Sequence, residues 1–168
     1  MANPFFRFKQ FTVWHDRCAM KVGTDGVLLG AWADPSFAKS ILDVGTGTGL
    51  VSLLLAQRCG AEIVAIDINE DAVIQAQENI KKSPWKDRIT VLNVDYKLFQ
   101  TDKRFDLIVS NPPFFVDSLK SPAKDRTLAR HADQLTYRDL IHKTTTLLSP
   151  DGFFSVIIPT DVHQMVVD

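Results

Sequence analysis

The sequence predicts an open, doubly wound α/β domain whose central sheet is mostly parallel. Short apolar runs recur along the chain, and stretches with helical periodicity lie between them. The runs are continuously apolar rather than alternating, which is typical of strands that are covered on both faces. At 168 residues the chain is long enough for one such domain and too short for two. In sheets of this kind, ligands bind at the carboxyl ends of the strands.

The predicted strands and helices follow one another in a regular order. The strands are runs of β-branched and other apolar residues, and the helices carry apolar residues at helical spacing. Asn69 is a favoured N-cap residue, so a helix begins after it, and Ser83-Pro84 should end that helix. Ser149-Pro150-Asp151-Gly152 should end the last helix in the same way. In chain order we predict strand 40–44, helix 50–58, strand 62–67, helix 70–82, strand 89–94, strand 105–110, helix 135–148 and strand 153–158.

Residues 1–33 form a leader ahead of the main domain, residues 34–168, and together they make a single domain. A polar turn lies between two apolar stretches of the leader and contains Lys21, Gly23, Thr24 and Asp25. Thr24 or Asp25 is a suitable N-cap for a helix that packs on the sheet. The chain stops about ten residues after the last predicted strand, and an exposed apolar strand edge is a liability. We therefore expect a chain that is truncated at its C-terminal end.

The composition is that of a soluble globular protein without strong electrostatic character. Hydrophobic residues make up 45% of the chain, and 19 basic against 20 acidic residues give a net charge of −1. This balance argues against attachment to nucleic acid by bulk charge. Cys18, Cys59 and the four histidines lack metal-ligand spacing, so we expect no metal. No apolar run approaches the ~20 residues of a membrane span, and we expect a cytoplasmic monomer without membrane attachment.

A glycine-rich loop follows the first predicted strand and opens the first helix. It reads Asp43-Val44-Gly45-Thr46-Gly47-Thr48-Gly49. Its glycines allow a sharp turn and the close approach of a ligand, and the helix behind them offers unpaired N–H groups. The GxGxG spacing does not match the GxGxxG of dinucleotide binders, which disfavours an NAD-dependent dehydrogenase. On spacing alone, a simple chain reversal remains open.

Two acids follow the next two strands. Asp67 ends the second strand about 20 residues beyond the glycines, where a carboxylate binds both hydroxyls of a ribose. Asp95 follows the third strand and is placed to accept from an adenine amino group. Either acid alone is equally compatible with a capping or solvated residue. Together with the glycine loop, they predict an adenosine-containing ligand at this edge of the sheet.

The glycine loop, the two acids and the segment Asn111-Pro112-Pro113-Phe114 resemble the class I S-adenosylmethionine-dependent methyltransferase family, which has a Rossmann-like fold. The resemblance implies S-adenosyl-L-methionine as the cofactor. It implies that the glycine loop faces the amino acid portion of the cofactor, that Asp67 holds the ribose and that Asp95 reads the adenine. The turn in the leader is then placed to close over the methionine end. The implied cofactor-binding residues are Lys21, Gly23, Thr24, Asp25, Asp43, Gly45, Gly47, Gly49, Asp67 and Asp95.

The NPPF segment after the fourth strand is similar to the signature of enzymes that methylate a planar amino nitrogen. Asn111 can accept one N–H of that nitrogen through its side-chain oxygen, and the Pro112 carbonyl can accept the other. Pro112 and Pro113 have no competing N–H, and Phe114 offers a face for a base. We therefore predict these four residues as catalytic. A rigid turn followed by a core aromatic residue is the structural alternative.

The leader and the NPPF segment together resemble the family of bacterial tRNA-Val (adenine-N6)-methyltransferases, which modify the adenine next to the anticodon. The resemblance runs from Phe11 through Pro159 and includes HDRCAMKVGTDGVLLGAW and AQENI. It implies N6-methylation of an adenine in the anticodon loop, with tRNA as the partner. Enzymes of this family continue beyond the fifth strand, so the resemblance also implies a truncated chain.

Three other functions remain open from the residues alone. Guanine-N2 in ribosomal RNA and the side-chain amide of a protein glutamine also present a planar NH2 group, which Asn111 does not distinguish from that of adenine. The third is a truncated domain that binds S-adenosylmethionine without turnover. The leader and residues 115–143 each carry a net charge of +2. This small positive charge is weak support for an RNA partner.

Overall fold

The computed structural model describes residues 3–18, 20–112 and 135–160. These residues form a two-stranded sheet near the N-terminus and a five-stranded sheet that is packed with helices. The elements are β1 (Phe5–Arg7), β2 (Thr12–Trp14), α1 (Thr24–Trp32), β3 (Ser40–Val44), α2 (Leu50–Ala56), β4 (Glu62–Asp67), α3 (Glu70–Lys81), a 3-10 turn (Lys86–Arg88), β5 (Ile89–Asn93), β6 (Phe105–Ser110), α4 (Tyr137–Leu147) and β7 (Leu148–Val156).

The five-stranded sheet is parallel throughout, with the order β5-β4-β3-β6-β7. The chain moves outward from β3 to β5 and then crosses back to place β6 on the other side of β3. This reversal creates a topological switch point between β3 and β6, which is where open α/β sheets bind their ligands. The predicted doubly wound architecture is confirmed. The ends of α2 and β5 differ from the predicted ones by one or two residues.

The sheet separates two cores because neighbouring strand residues point to opposite faces. Ile41 packs with α1, α2 and the leader on one face, whereas Leu42 packs with α4 and Tyr96 on the other. Both side chains are fully buried. No helix among the described residues is long and apolar enough to cross a membrane, since the longest, α3, has 12 residues.

The N-terminal hairpin of β1 and β2 is an element that the sequence analysis did not predict. Phe5 lies opposite Trp14, and their ring centroids are 4.9 Å apart. Phe11 and Val13 belong to the main core, where Phe11 meets the edge of the Trp85 ring at 5.6 Å. Strands of three residues are too short for a periodic pattern in the sequence, so aromatic pairing and burial define this hairpin.

The N-cap of α1 differs from the predicted one, and α4 begins with a capping box that was not predicted. Gly23 is the N-cap of α1 and no side chain caps this helix, so the expected cap at Thr24 or Asp25 is wrong. At α4, Thr136 and Asp139 form a reciprocal capping box, which starts the helix two residues after the predicted position.

The predicted turn at residues 149–152 is wrong, because these residues lie within β7. Leu148 pairs with Phe105 and Phe153 pairs with Leu107, so five residues of β7 span the distance of two residues in β6. A Cβ on Gly152 would lie 2.8 Å from the Phe105 carbonyl oxygen. A glycine is therefore required where this irregular segment crosses the backbone of β6.

Asp106 ties together the amino-terminal ends of three strands. Its Oδ2 accepts backbone N–H groups from Lys39 at 2.8 Å and Ser40 at 3.1 Å, and its Oδ1 accepts the Ser149 hydroxyl at 3.0 Å. These hydrogen bonds, that from the Lys39 backbone first, lower the pKa of Asp106. A carboxyl whose pKa is lower when folded stabilises the fold above its unfolded pKa and loses this effect as the pH falls through its folded pKa.

We expect Asp106→Asn to lower the free energy of unfolding by about 1 kcal/mol at neutral pH, because the variant keeps one acceptor oxygen but loses the charge. The difference from the wild type should begin to shrink below about pH 4 and disappear as the pH falls through the lowered pKa of the folded wild-type carboxyl, where this group also loses its charge. Urea unfolding at several pH values measures this. Asp102→Asn, which changes an exposed acid in the loop before β6, is the control and should show no such convergence.

Candidate functional site

A cavity of about 260 Å³ opens at the carboxyl ends of β3 and β6. Val44 lies opposite Ser110 in the parallel register, and the Ser110 hydroxyl donates to the Val44 carbonyl at 2.9 Å. The next residues, Gly45 and Asn111, therefore leave the sheet side by side. The cavity is lined by Met20, Lys21, Val22, Gly23, Asp25, Gly26, Gly45, Thr46, Gly47, Thr48, Leu50, Val51, Asn111 and Pro112.

The glycine loop forms one wall of this cavity. Gly45 and Gly47 have φ values of 72° and 56°, which only glycine adopts without strain, and no atom lies within 4 Å of the position of an added Cβ. The N–H groups of Gly45 and Thr46 both donate to the Ile66 carbonyl, at 2.9 and 3.0 Å. Hydrogen bonds thus fix the loop to β4, and the loop carries no side chain at Gly45 and Gly47. A ligand can therefore approach its backbone at these two residues.

Asp43 acts beneath the loop rather than in the cavity. Its side chain is 1% exposed, and its Oδ2 accepts hydroxyl hydrogen bonds from Thr46 at 2.7 Å and Ser52 at 2.6 Å. Burial raises the pKa of this carboxyl, and the two hydroxyl groups partly oppose the effect. Asp43 therefore joins the start of the loop to helix α2 and shapes the cavity without lining it.

Asp67 lies next to the loop, at the end of β4. Its two oxygens accept the N–H of Gly47 at 2.8 Å and the N–H of Asn69 at 2.9 Å. The carboxylate is half-buried, so its remaining lone pairs can accept from a ligand. Asn93, which the sequence analysis missed, donates from Nδ2 to the carbonyls of Asp67 at 3.0 Å and Ile68 at 3.1 Å, and so holds the backbone of the acid.

Asp95 lies two residues beyond the end of β5, in a turn. Its Oδ1 accepts the N–H of Lys97 at 2.8 Å, which fixes the direction of the carboxylate. Lys143 of α4 donates to the Lys97 carbonyl at 2.7 Å and lies 5.5 Å above the Tyr96 ring. Burial lowers the pKa of Lys143, and attraction to Asp95 opposes this change. The ammonium group of Lys143 therefore lies close enough to the Asp95 carboxylate to interact with its charge.

Helix α1 brings the leader against Asn111. A Cβ on Gly26 would lie 3.7 Å from Asn111 Nδ2 and only 3.1 Å from Leu50 Cδ2. A larger residue at position 26 would thus crowd both α2 and the amide. Asp25, the preceding residue, also lines the cavity. The small size of Gly26, which the sequence does not mark as important, makes room for the Asn111 side chain.

Two buried amides on α3, which we call the leader clasp, hold the leader in place. Asn79 Oδ1 accepts the Trp14 N–H at 2.9 Å, and its Nδ2 donates to the carbonyls of Trp14 and Thr48, both at 2.9 Å. Gln75 Oε1 accepts the Arg17 N–H at 3.1 Å. Both amides are 1% exposed. The clasp joins the leader to the glycine loop.

His15 fixes the part of the leader that reaches the cavity. The Val22 N–H donates to His15 Nδ1 at 3.3 Å, so Nδ1 is an acceptor and the ring proton lies on Nε2. That nitrogen donates to the Asn3 carbonyl at 2.8 Å. The ring is buried, and it connects the start of the chain to a residue in the cavity wall.

The edge is rich in carboxylates, which favours a cationic ligand. Asp25 lines the cavity, and Asp67 and Asp95 follow the next two strands. The same charges affect Cys18: burial, and then Asp67 and other acids, raise the pKa of its thiol to about 11. Cys18 therefore remains a neutral thiol at physiological pH and is a poor nucleophile.

The comparison with known proteins agrees with this geometry. The family model described as the methyltransferase small domain matches residues 20–164. A tRNA1(Val) (adenine(37)-N6)-methyltransferase of Bacteroides thetaiotaomicron is 60% identical over 99% of this chain and 71% of its own length. That of Phocaeicola vulgatus is 62% identical over 96% of this chain and 69% of its own length. This chain belongs to the tRNA1(Val) (adenine(37)-N6)-methyltransferase family.

Solved structures share the fold of this chain. A predicted O-methyltransferase of Agrobacterium tumefaciens has a TM-score of 0.65 and 20% identity, with 86% of this chain and 65% of that chain covered. A glycopeptide N-methyltransferase complexed with S-adenosyl-L-methionine has a TM-score of 0.57 and 18% identity, with 79% and 52% covered. At these identities the likeness shows the fold, and the fold predicted from the sequence is confirmed.

The predicted site residues of this methyltransferase fall into three groups. Lys21, Gly23, Asp25, Gly45, Gly47, Asn111 and Pro112 line the cavity. Five others do not line it: Thr24, Asp43, Gly49, Asp67 and Asp95. Among these, Gly49 has a φ of 80° and packs against Ala76, so its position is explained by helix packing. Pro113 and Phe114 lie outside the described residues, and the binding roles of all these residues remain predictions.

We expect Asn79→Leu to detach the leader from the methyltransferase core, because the Trp14 N–H and the carbonyls of Trp14 and Thr48 lose their partner. Each buried polar group left unsatisfied costs about 1–3 kcal/mol, so the loss of a partner by three groups should lower the free energy of unfolding by at least about 3 kcal/mol. Amide hydrogen exchange should show lost protection at residues 14–18. Gln77→Leu, on the exposed side of α3, is the control, and equal exchange in the two variants would contradict the clasp.

Proposed function

We propose that this chain is the catalytic domain of an enzyme that methylates N6 of adenine 37 in tRNA1(Val). The observation that carries the proposal is that Asn111 and Pro112 line the same cavity as the glycine loop. The acceptor-holding residues and the cofactor-binding loop thereby share one space, as methyl transfer requires. The relatives, which are 54–62% identical in five cases and carry the name of this activity, support the choice of substrate.

The residues around the cavity fit S-adenosyl-L-methionine. Gly45 and Gly47 expose bare backbone to the cavity, and acids surround it, which suits a cationic ligand with an amino acid end. We assign the methionine end to the glycine loop and Asp25, the ribose to Asp67 and the adenine to Asp95. When bound, the cofactor supplies an electrophilic methyl group on a positively charged sulfur.

Asn111 and Pro112 hold the amino group that receives the methyl. The lone pair of an adenine amino nitrogen is delocalised into the ring, so this nitrogen is a poor nucleophile. We infer that the side-chain oxygen of Asn111 accepts one N–H and the Pro112 carbonyl accepts the other. Drawing both hydrogens to one side favours a pyramidal nitrogen and directs its lone pair to the opposite side. This is a positioning effect, and it requires no change in the charge of the protein.

A strong general base is not needed at this site. The methylated nitrogen is acidic while it still carries both hydrogens, so it releases one proton readily to water. Pro112 has no N–H that would compete for the Asn111 oxygen. The residues therefore act by orienting the acceptor rather than by transferring a proton themselves.

We also propose that the leader, residues 1–33, and residues 34–168 act as one domain in the cytoplasm, with tRNA as the partner. Phe11, Val13 and Leu29 of the leader are buried in the same core as Ile41 of the sheet, which supports a single unit. His15 and the leader clasp direct Lys21 and Val22 into the cavity wall. The leader then closes the methionine end of the cofactor site.

We expect Asn111→Ala to reduce kcat for methyl transfer to unmodified tRNA1(Val) by about 10²–10³-fold, the typical effect of removing a positioned polar group from a reaction centre. The affinity for S-adenosyl-L-methionine, measured by calorimetry, should change little because Asn111 holds the acceptor. Mass spectrometry of the tRNA nucleosides should identify N6-methyladenine as the product.

Two outcomes would contradict this proposal for Asn111. One is a variant that transfers methyl groups at the wild-type rate, and the other is wild-type product found on guanine or on a protein glutamine. Cofactor binding without any transfer by the wild-type chain would instead indicate a binding domain. Asn111→Asp keeps an acceptor at this position and should retain more activity than Asn111→Ala.

We expect Asp67→Ala to weaken the binding of S-adenosyl-L-methionine by about 1.5–3 kcal/mol, because hydrogen bonds from two ribose hydroxyls to a charged group are lost. Asp71→Ala is the matched control, since it removes the same charge from an exposed position in the first turn of α3. Calorimetry on both variants measures the difference. If the two variants bind the cofactor equally well, the ribose assignment of Asp67 is wrong.

A further inference from the structure

The N-terminal hairpin carries a row of aromatic rings on its surface. Phe6, which is 49% exposed, packs on Phe8 with ring centroids 4.9 Å apart, and Phe8 stacks on Phe11 at 4.6 Å. Phe11 is buried and meets the edge of Trp85 at 5.6 Å. The buried rings fix the row to the core, so the exposed ring of Phe6 is held rigidly at its end. A rigid, exposed ring is a suitable platform for an unpaired base.

Basic side chains surround these rings. Arg7 and Lys9 are exposed on the hairpin, and Lys86 is exposed next to Trp85. Lys82, at the end of α3, places its Nζ 5.5 Å from the centroid of the Trp14 ring. Asp87 is the acid that adjoins Lys86 in the 3-10 turn. We call the set Phe6, Arg7, Lys9, Trp14, Lys82 and Lys86 the hairpin surface.

The charge of the hairpin surface contrasts with the rest of the chain. The whole chain has 19 basic and 20 acidic residues and a net charge of −1. The four cations of the hairpin surface therefore leave the remainder with an excess of five acids. The hairpin surface therefore offers a polyanion a local attraction on a chain whose net charge is slightly negative.

The hairpin surface is connected to the cavity through the leader clasp. Asn79 Nδ2 donates to the carbonyl of Trp14, which belongs to the hairpin surface, and to that of Thr48, which lines the cavity. Both carbonyl oxygens are therefore hydrogen-bonded to the same nitrogen atom. The clasp therefore gives the hairpin a fixed position relative to the loop that lines the cavity.

We propose that the hairpin surface binds the phosphate backbone and one unpaired base of the anticodon stem-loop while the target adenine occupies the cavity. The proposal rests on the proposed function, because it takes tRNA as the substrate. Arg7, Lys9, Lys82 and Lys86 contact phosphates, and Phe6 stacks on a base. Phosphate contacts place the substrate in register, and Asn111 then acts on the amino group.

The test measures binding of an unmodified tRNA1(Val) transcript to the chain over a range of salt concentrations. For Lys9→Ala/Lys82→Ala we expect the slope of log K against log salt to become shallower by about 0.7–0.9 for each lost phosphate contact. Phe6→Ala should weaken binding at least about fivefold with the slope unchanged, because stacking is not ionic. Cofactor affinity should remain that of the wild type in all variants, which shows that they are folded.

The matched control is Lys39→Ala/Lys103→Ala, which removes two exposed lysines at the amino-terminal ends of β3 and β6. It has the same total charge as the test variant, so a general field effect would change both slopes equally. Equal slopes in the two double variants overturn the proposal that the hairpin surface binds tRNA. The same result is expected if this surface binds another protein instead. Failure of the wild type to methylate the transcript counts against the proposed function instead, since binding is measured without turnover.

Discussion

The parallel register between β3 and β6 is the constraint on which the site depends. Gly45 and Asn111 are far apart in the chain, yet they emerge together because Val44 and Ser110 are partners in the ladder. That register is set in the interior, where Ile41 lies opposite Leu107 and both are almost completely buried. A slip of one residue would turn the buried side chains of β6 to the wrong face and is therefore very unfavourable. The hydrophobic core thus fixes the distance between the glycine loop and Asn111.

Asparagine and glutamine side chains extend this order beyond the sheet. The leader and the loops after the strands have backbone groups that no ladder satisfies, and buried groups of this kind need partners. Asn79 supplies a donor and an acceptor to Trp14, as a neighbouring strand would, and Asn93 supplies a donor to the carbonyls after β4. A neutral amide performs both roles without adding charge to an edge that already holds several carboxylates. The cofactor-facing loops are thereby fixed by side chains whose own positions depend on α3 and β5.

The parts of the fold and site that the sequence predicted are those with local signals. Each strand of the parallel sheet contains a short apolar run, and the loop after β3 carries glycines whose positive φ angles leave few other residue types possible. The missed parts depend on partners distant in the chain. Asn79 resembles any polar residue on a helix until Trp14 is placed against it, and β7 begins early because Gly152 passes over the Phe105 carbonyl. Pattern reasoning finds the strand ends that carry chemistry, but it does not find the contacts that orient them.

The choice of an amide at position 111 follows from the charges around it. A carboxylate there would also accept two N–H groups, and more strongly. It would, however, face a cationic methyl donor in a site already lined by Asp25, and would attract that cation before the acceptor arrives. Such attraction is present in the ground state as well as in the transition state, so it tightens binding without accelerating transfer. An amide oxygen contacts the amino group with little effect on the cofactor. In the proposed mechanism, the acids of the edge and the amide of Asn111 therefore have separate tasks, the first to bind a cation and the second to orient a neutral base.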